Sequence, residues 1–256
     1  MSARAFLLAA GLAFAAAAAE IPLAERRSGY EFMGRETRAM QDDEATNPAV
    51  LWLLDGEALW KKKEGAAGKA CADCHSDARE SMRGAAARYP AWDARRGRVL
   101  GMEQRVQVCR VERQQAPALA WEGRELLALA AYLGRQSRGM PVQPEANDKA
   151  NPSRDAGRGL FFQRQGQLNL SCAQCHDDQW GKSLAGVAIP QAHPTGYPLY
   201  RLEWQGVGSL QRRIRNCMTG IRAEPYTFGA QEHVDLELYL MWRARGMRME
   251  TPAVRP

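Results

Sequence analysis

Beyond residue 19 the sequence has no apolar run long enough to cross a bilayer, so no membrane insertion is expected. Lysine is scarce: it occurs only at positions 61, 62, 63, 69, 149 and 182, which leaves 29 arginines among the 35 basic residues. No basic cluster is interleaved with aromatic residues, which argues against nucleic-acid binding. Lys61-Lys62-Lys63 reads as a solvated helix face. β-Formers seldom occur in runs, which favours an all-α fold. Histidine occurs four times, at 75, 176, 193 and 233.

The start is basic (Arg4) and is followed by an alanine-rich apolar run, Ala5 to Ala19, that ends in Ala17-Ala18-Ala19 before Glu20. This predicts a signal peptide over residues 1–19, cleaved near Ala19, and a soluble protein of the periplasm. A twin-arginine pair is missing ahead of the cleavage point (Arg26-Arg27 lie beyond it), so export of an unfolded chain is expected. About 237 residues remain after cleavage, enough for two small cores.

Cys172-Ala-Gln-Cys175-His176 is the densest chemical signal. Two cysteines three apart followed at once by histidine form the attachment signature for c-type haem. On one helical turn both sulfurs can form thioethers with the haem vinyl groups, and His176 is placed to be the proximal iron ligand. A redox dithiol, a disulfide or half a zinc site would not need the adjacent histidine. Cys71-Ala-Asp-Cys74-His75 repeats the motif, so two covalently bound c-type haems are predicted. The abundant arginine suits pairing with haem propionates and recognition of anions.

The second half of the chain restates the first. Gly56 lies 15 positions before Cys71 and Gly157 lies 15 before Cys172, each ahead of a short apolar segment. Leu129 to Leu133 matches Leu236 to Leu240, and Arg138-Gly-Met140 matches Arg245-Gly-Met247. The pattern predicts two tandem cytochrome c-like domains, an internal duplication, each running helix, haem motif, irregular segment and closing amphipathic helix. Residues 20–48 form an N-terminal extension with a short helix near Glu36 to Asp43. Domain 1 spans 49–141, a Pro/Asn-rich linker spans 142–152, and domain 2 spans 153–256.

Six cysteines minus the four of the haem motifs leave Cys109 and Cys217, one per half. Three readings are open: a disulfide, two inert buried thiols, or one distal thiolate ligand on each iron. Met140 and Met247 compete for the distal positions, because methionine serves there in many cytochromes c. His193 and His233 have no counterparts in the first half, and His233 on the closing helix reads as a surface or supporting residue. Thiolate ligation would favour ferric iron and a low potential, and would hold a sulfur anionic and fixed. On a helix, Arg213 lies one turn before Cys217, ready to place a guanidinium beside the sulfur. Arg105 holds the same place before Cys109, so spacing does not distinguish the two halves.

The chain resembles the SoxA family, dihaem c-type cytochrome subunits of a thiosulfate-oxidising system. The likeness rests on Gly29-Tyr-Glu-Phe-Met33, Met40-Gln-Asp-Asp43, Cys109-Arg-Val-Glu-Arg113, Gln136-Ser-Arg-Gly-Met-Pro141 and Arg213 through Pro225. It implies that His75 and Cys109 ligate haem 1 and that His176 and Cys217 ligate haem 2. It implies further that Cys217 is the catalytic sulfur, found in the family as a persulfide, and that Arg213 binds substrate. The implied activity is L-cysteine S-thiosulfotransferase, joining thiosulfate to a cysteine of the SoxYZ carrier, with the monohaem cytochrome SoxX as partner. Two other classes remain: a non-catalytic dihaem electron carrier and a dihaem peroxidase. Neither accounts for the paired single cysteines.

Overall fold

The computed structural model describes residues 20–144 and 147–256, so the expected signal peptide lies outside the described residues. Helix α1 (Arg35–Asp42) belongs to the N-terminal extension. The first repeat then runs through α2 (Val50–Lys61), α3 (Ala72–His75), α4 (Ala78–Ser81), a hairpin of β1 (Ala91–Asp93) and β2 (Arg98–Leu100), α5 (Met102–Cys109) and α6 (Arg124–Arg135). The second runs through α7 (Asn151–Phe162), α8 (Cys172–His176), a small hairpin of β3 (Ser183–Leu184) and β4 (Val187–Ala188), a second hairpin of β5 (Leu199–Arg201) and β6 (Gly206–Gly208), α9 (Leu210–Gly220) and α10 (Gln231–Arg243). Strand β7 (Val254–Arg255) adds to β5 in parallel. The framework is all-α, as expected, with only short strands.

Helix–helix packing explains the paired glycines of the sequence. In the first repeat α2 packs along α6, and in the second α7 packs along α10. A Cβ at Gly56 would collide with the Ala128 carbonyl, and one at Gly157 with the Asp235 carbonyl. Both glycines therefore let a helix backbone touch the closing helix directly.

The closing helices are buried well beyond one amphipathic face. Every residue from Leu126 to Gly134 of α6 is buried. The cause is reciprocal packing between the repeats. Val207 of the β5–β6 hairpin packs on Leu127 of α6, with Trp52 and Tyr200 beside it. Val99 of the β1–β2 hairpin packs on Val234 and Leu238 of α10. Each hairpin thus covers the other repeat's closing helix. A fully buried valine or leucine of this kind contributes about 1.5–3 kcal/mol, so each repeat's core is completed by its twin.

Three features differ from the sequence reading. The segment taken as irregular holds a hairpin in each repeat; its strands of three residues are too short to show a period-two pattern. The extension packs on the second repeat and the C-terminal residues. Arg27 N donates to Gln191 Oε1 at 2.7 Å, Asn47 Nδ2 to Pro252 O at 3.3 Å, and Val254 N to Gln41 Oε1 at 3.1 Å. His233 is fully buried, with Nδ1 3.0 Å from the Thr227 carbonyl, and is no surface residue.

Candidate functional site

Helix α8 starts where it does because Ser171 and Gln174 form a capping box. Gln174 N donates to Ser171 Oγ at 3.3 Å, and Ser171 N donates to Gln174 Oε1 at 2.9 Å. The turn that follows carries Cys172, Cys175 and His176. His176 Nδ1 lies 2.6 Å from the Pro190 carbonyl. A carbonyl only accepts, so Nδ1 carries the ring proton and Nε2 is left with its lone pair free for a metal.

The Cys217 thiol comes close to the His176 imidazole from α9. Desolvation pushes this thiol up, but the neighbouring His176 and the charges of Arg213 and Arg201 outweigh it and hold the thiol below its ordinary value. The other two sulfurs are close enough to feel Cys217. Burial and then Cys217 push Cys172 up to about 12, and the same two causes raise Cys175. One imidazole nitrogen, one acidified thiol and two neighbouring cysteine sulfurs make a donor set that fits a c-type haem with histidine and thiolate axial ligands. Cys172 and Ala173 also join the apolar core of Phe161, Ile214, Met218 and Tyr239.

Just after the motif, Asp177 anchors the turn to α10. Arg243 Nη2 lies 2.5 Å from Asp177 Oδ1, and its guanidinium stacks over Phe161 at 4.5 Å from the ring centre. The Arg243 side chain is 9% exposed, so this is a buried ion pair. Arg243→Ala would strand the Asp177 carboxylate and is expected to cost about 3–5 kcal/mol, measured as a lowered denaturant midpoint.

The first repeat assembles a related set. Cys71, Cys74 and His75 sit on and before α3, with the His75 ring 5.7 Å from that of Trp60. Cys109 ends α5 and leads into a π-helical turn, Arg110–Gln114. Burial, followed by the nearby Cys109 sulfur, pushes Cys71 up to about 11. The structure therefore brings Cys109 to the first motif, as it brings Cys217 to the second. Met140 and Met247 lie elsewhere, at the seam where the two repeats pair. Val142 N donates to Met247 O at 2.7 Å, and Met249 N donates to Met140 O at 2.8 Å.

The two cysteine sites differ in charge, although their helices match. Arg105, one turn before Cys109, is committed: Nη2 lies 2.5 Å from Asp93 Oδ2 and Nε donates to the Tyr89 hydroxyl at 3.2 Å. Asp93 is itself buried. Burial raises the Cys109 thiol, and the flanking arginines do not outweigh it. Arg213, one turn before Cys217, has no carboxylate partner among the described residues. Its field reaches both Cys217 and the Tyr197 phenol. A cation without a partner beside a nucleophilic sulfur is the arrangement that receives an anionic sulfur compound. Sequence reasoning found Arg213 and Cys217 but missed Asp93, whose pairing distinguishes the repeats.

A family model for the SoxA/TsdA cytochrome c domain matches this chain twice, over residues 55–142 and 156–249. The chain belongs to the SoxA family. The L-cysteine S-thiosulfotransferase subunit SoxA of Pseudaminobacter salicylatoxidans is 38% identical, over 91% of this chain and 82% of that protein. The same subunit from Rhodovulum sulfidophilum is 35% identical over 90% of this chain and 80% of its own length. The crystal structure of SoxXA from P. pantotrophus matches with a TM-score of 0.87 and 32% identity, over 90% of this chain and 87% of that chain. As the family's cytochrome c domain implies, the protein carries covalently bound haem c.

Proposed function

We propose that this chain is the catalytic subunit of an L-cysteine S-thiosulfotransferase and that Cys217 is its reacting sulfur. The observation that carries the reading is the charge asymmetry between repeats: Arg213 has no carboxylate partner among the described residues beside Cys217, while Asp93 neutralises Arg105 beside Cys109. In the net reaction a carrier thiol and thiosulfate give a thiosulfonate, RSH + S2O3(2−) → RS–SSO3(−) + H(+) + 2e(−). Haem held by these residues would supply the one-electron path by which the two electrons leave.

The chain's own residues would divide the work as follows. Cys217 offers an anionic sulfur, fixed in position by α9, that bonds to the sulfane sulfur of thiosulfate. Arg213 holds the sulfonate oxygens and offsets the repulsion between a dianion and a thiolate. The carrier cysteine then attacks the sulfane sulfur, the Cys217–sulfur bond breaks, and the sulfane sulfur leaves with the carrier still bearing its sulfonate. Cys172 and Cys175 would attach the second haem with His176 as its proximal ligand, and Cys71, Cys74 and His75 would do so for the first, with Cys109 as its distal ligand.

The proposed partners are SoxX, as a stable heterodimer, and SoxYZ as the transient carrier. The proposed location is the periplasm. No helix among the described residues is long and apolar enough to cross a membrane.

The test combines the purified heterodimer, the carrier, thiosulfate and oxidised cytochrome c. A thiosulfonate on the carrier cysteine, formed with two reduced cytochromes per adduct, is the expected outcome; thiosulfate-dependent reduction with no carrier adduct would refute the reading. Haem number is tested separately. The intact denatured mass should exceed that of the mature polypeptide by two haem groups, and an excess of one would contradict the assignment of both motifs.

A further inference from the structure

The two hairpins are built in the same register. Ala91 pairs with Leu100, Trp92 with Val99 and Asp93 with Arg98; 108 positions on, Leu199 pairs with Gly208, Tyr200 with Val207 and Arg201 with Gly206. The same spacing separates Cys109 from Cys217, Arg105 from Arg213, and Tyr89 from Tyr197. Asp93 and Arg201 are therefore structurally equivalent, and their charges are opposite. In the first repeat that strand position supplies the carboxylate that occupies the arginine. In the second it supplies another guanidinium.

Arg201 is held as a ligand-binding arginine should be. Its side chain is 8% exposed, so the stem is fixed by packing. Nε donates to Glu203 Oε2 at 2.8 Å, and the guanidinium lies 5.4 Å from the centre of the Trp204 ring. Arg212 stacks on the same ring at 4.3 Å. Among the described residues, no protein acceptor takes a hydrogen bond from either Nη of Arg201. In the first repeat the equivalent side chains meet directly, Arg105 with both Asp93 and Tyr89, so the shared register places Arg201, Tyr197 and Arg213 around one site in the second.

We propose that Arg201 is a second substrate-binding residue of the Cys217 site, which together with Arg213 grips the sulfonate end of thiosulfate and turns its sulfane sulfur toward Cys217. The inference rests on the thiosulfotransferase reading. A sulfonate presents three oxygens; one guanidinium can take two, and the third needs a separate donor. Two cations also match a dianion approaching an anionic sulfur, where one would leave net repulsion. Glu203 engages Nε and leaves both Nη groups of Arg201 without a protein acceptor among the described residues.

The experiment measures steady-state transfer by the heterodimer carrying Arg201→Gln, Arg201→Lys or Arg201→Asp, with haem content and the electron paramagnetic resonance (EPR) spectrum of each variant. Gln keeps the buried stem and should raise KM for thiosulfate by roughly 10- to 150-fold, the range for losing a charged hydrogen-bond partner, with a smaller change in kcat. Lys should recover part of the loss. Asp recreates the pairing of the first repeat, occupies Arg213, and should be worse than Gln. Haem content and the EPR spectrum should stay unchanged throughout. A thiosulfate KM within twofold of the parent in Arg201→Gln would overturn the proposal. So would a shifted haem spectrum with KM unchanged, which would make Arg201 a partner of the haem. Parallel Cys217→Ala separates the two levels. If that variant is inactive while Arg201→Gln behaves as the parent, the role of Arg201 falls and the thiosulfotransferase reading stands; if Cys217→Ala still loads the carrier, the reading itself falls.

Discussion

Replacing Cys217 with alanine is expected to lower thiosulfate transfer by on the order of 10^3-fold or more, the scale seen when a covalent nucleophile is removed. The loss follows from how the sulfur is held. Its position on α9 brings it near the His176 imidazole, and the nearby Arg213 guanidinium favours the anion over the thiol. An alanine offers neither the sulfur nor a ligand for iron. The low-temperature EPR signature of one thiolate-ligated haem should disappear with the activity. Cys109→Ala should remove the other signature and leave transfer within a few-fold of the parent. Comparable losses in both variants would mean that the repeats share the chemistry.

Arg213→Ala is the second large effect. Removing a charged hydrogen-bond partner from a partly dry site costs about 2–4 kcal/mol, or roughly 30- to 1,000-fold in kcat/KM. Arg105→Ala provides the internal control, because it removes the equivalent side chain of the first repeat. Its guanidinium serves Asp93 and Tyr89, so the expected result is a stability loss of about 1–3 kcal/mol from a buried carboxylate that keeps the Arg95 and Arg96 backbone N–H donors but loses its closest cation, with thiosulfate turnover within about twofold. Equal activity losses from the two arginines would remove the asymmetry on which the assignment stands.

Much of this arrangement can be read from the residues in order. The two Cys-x-x-Cys-His motifs mark the short helical turns α3 and α8 because their pattern is local, and Leu129 to Leu133 and Leu236 to Leu240 mark closing helices by period alone. Gly56 and Gly157 are legible as a repeat, although their cause, contact with a facing carbonyl, appears only in three dimensions. The hairpins escape a periodicity search because three residues give no pattern. The reciprocal packing of Val99 and Val207 escapes it too, because nothing in a linear order shows that a hairpin covers the other repeat's helix. The docking of residues 20–48 is hidden for the same reason: Gln41, Asn47 and Arg27 find their partners more than 160 positions away.

Arg213 shows the limit most clearly. Its place one turn before Cys217 follows from helical spacing, but Arg105 has the same spacing before Cys109. What separates them is Asp93 on a neighbouring strand, and a side chain recruited from another element leaves no mark at the arginine it occupies. Applying the 108-position offset to the hairpins would have exposed the exchange of Asp93 for Arg201, which is the one signal in the sequence that could have found it.

The most direct test of the central claim is to trap the sulfur adduct on the chain itself. The heterodimer is turned over with thiosulfate and oxidised cytochrome c without carrier, quenched in acid, digested and mapped by mass spectrometry. The account predicts a thiosulfonate, or the persulfide left by its hydrolysis, on the peptide bearing Cys217 and none on the peptide bearing Cys109. An adduct on Cys109, or full electron release with Cys217 unmodified at every time point, would contradict it.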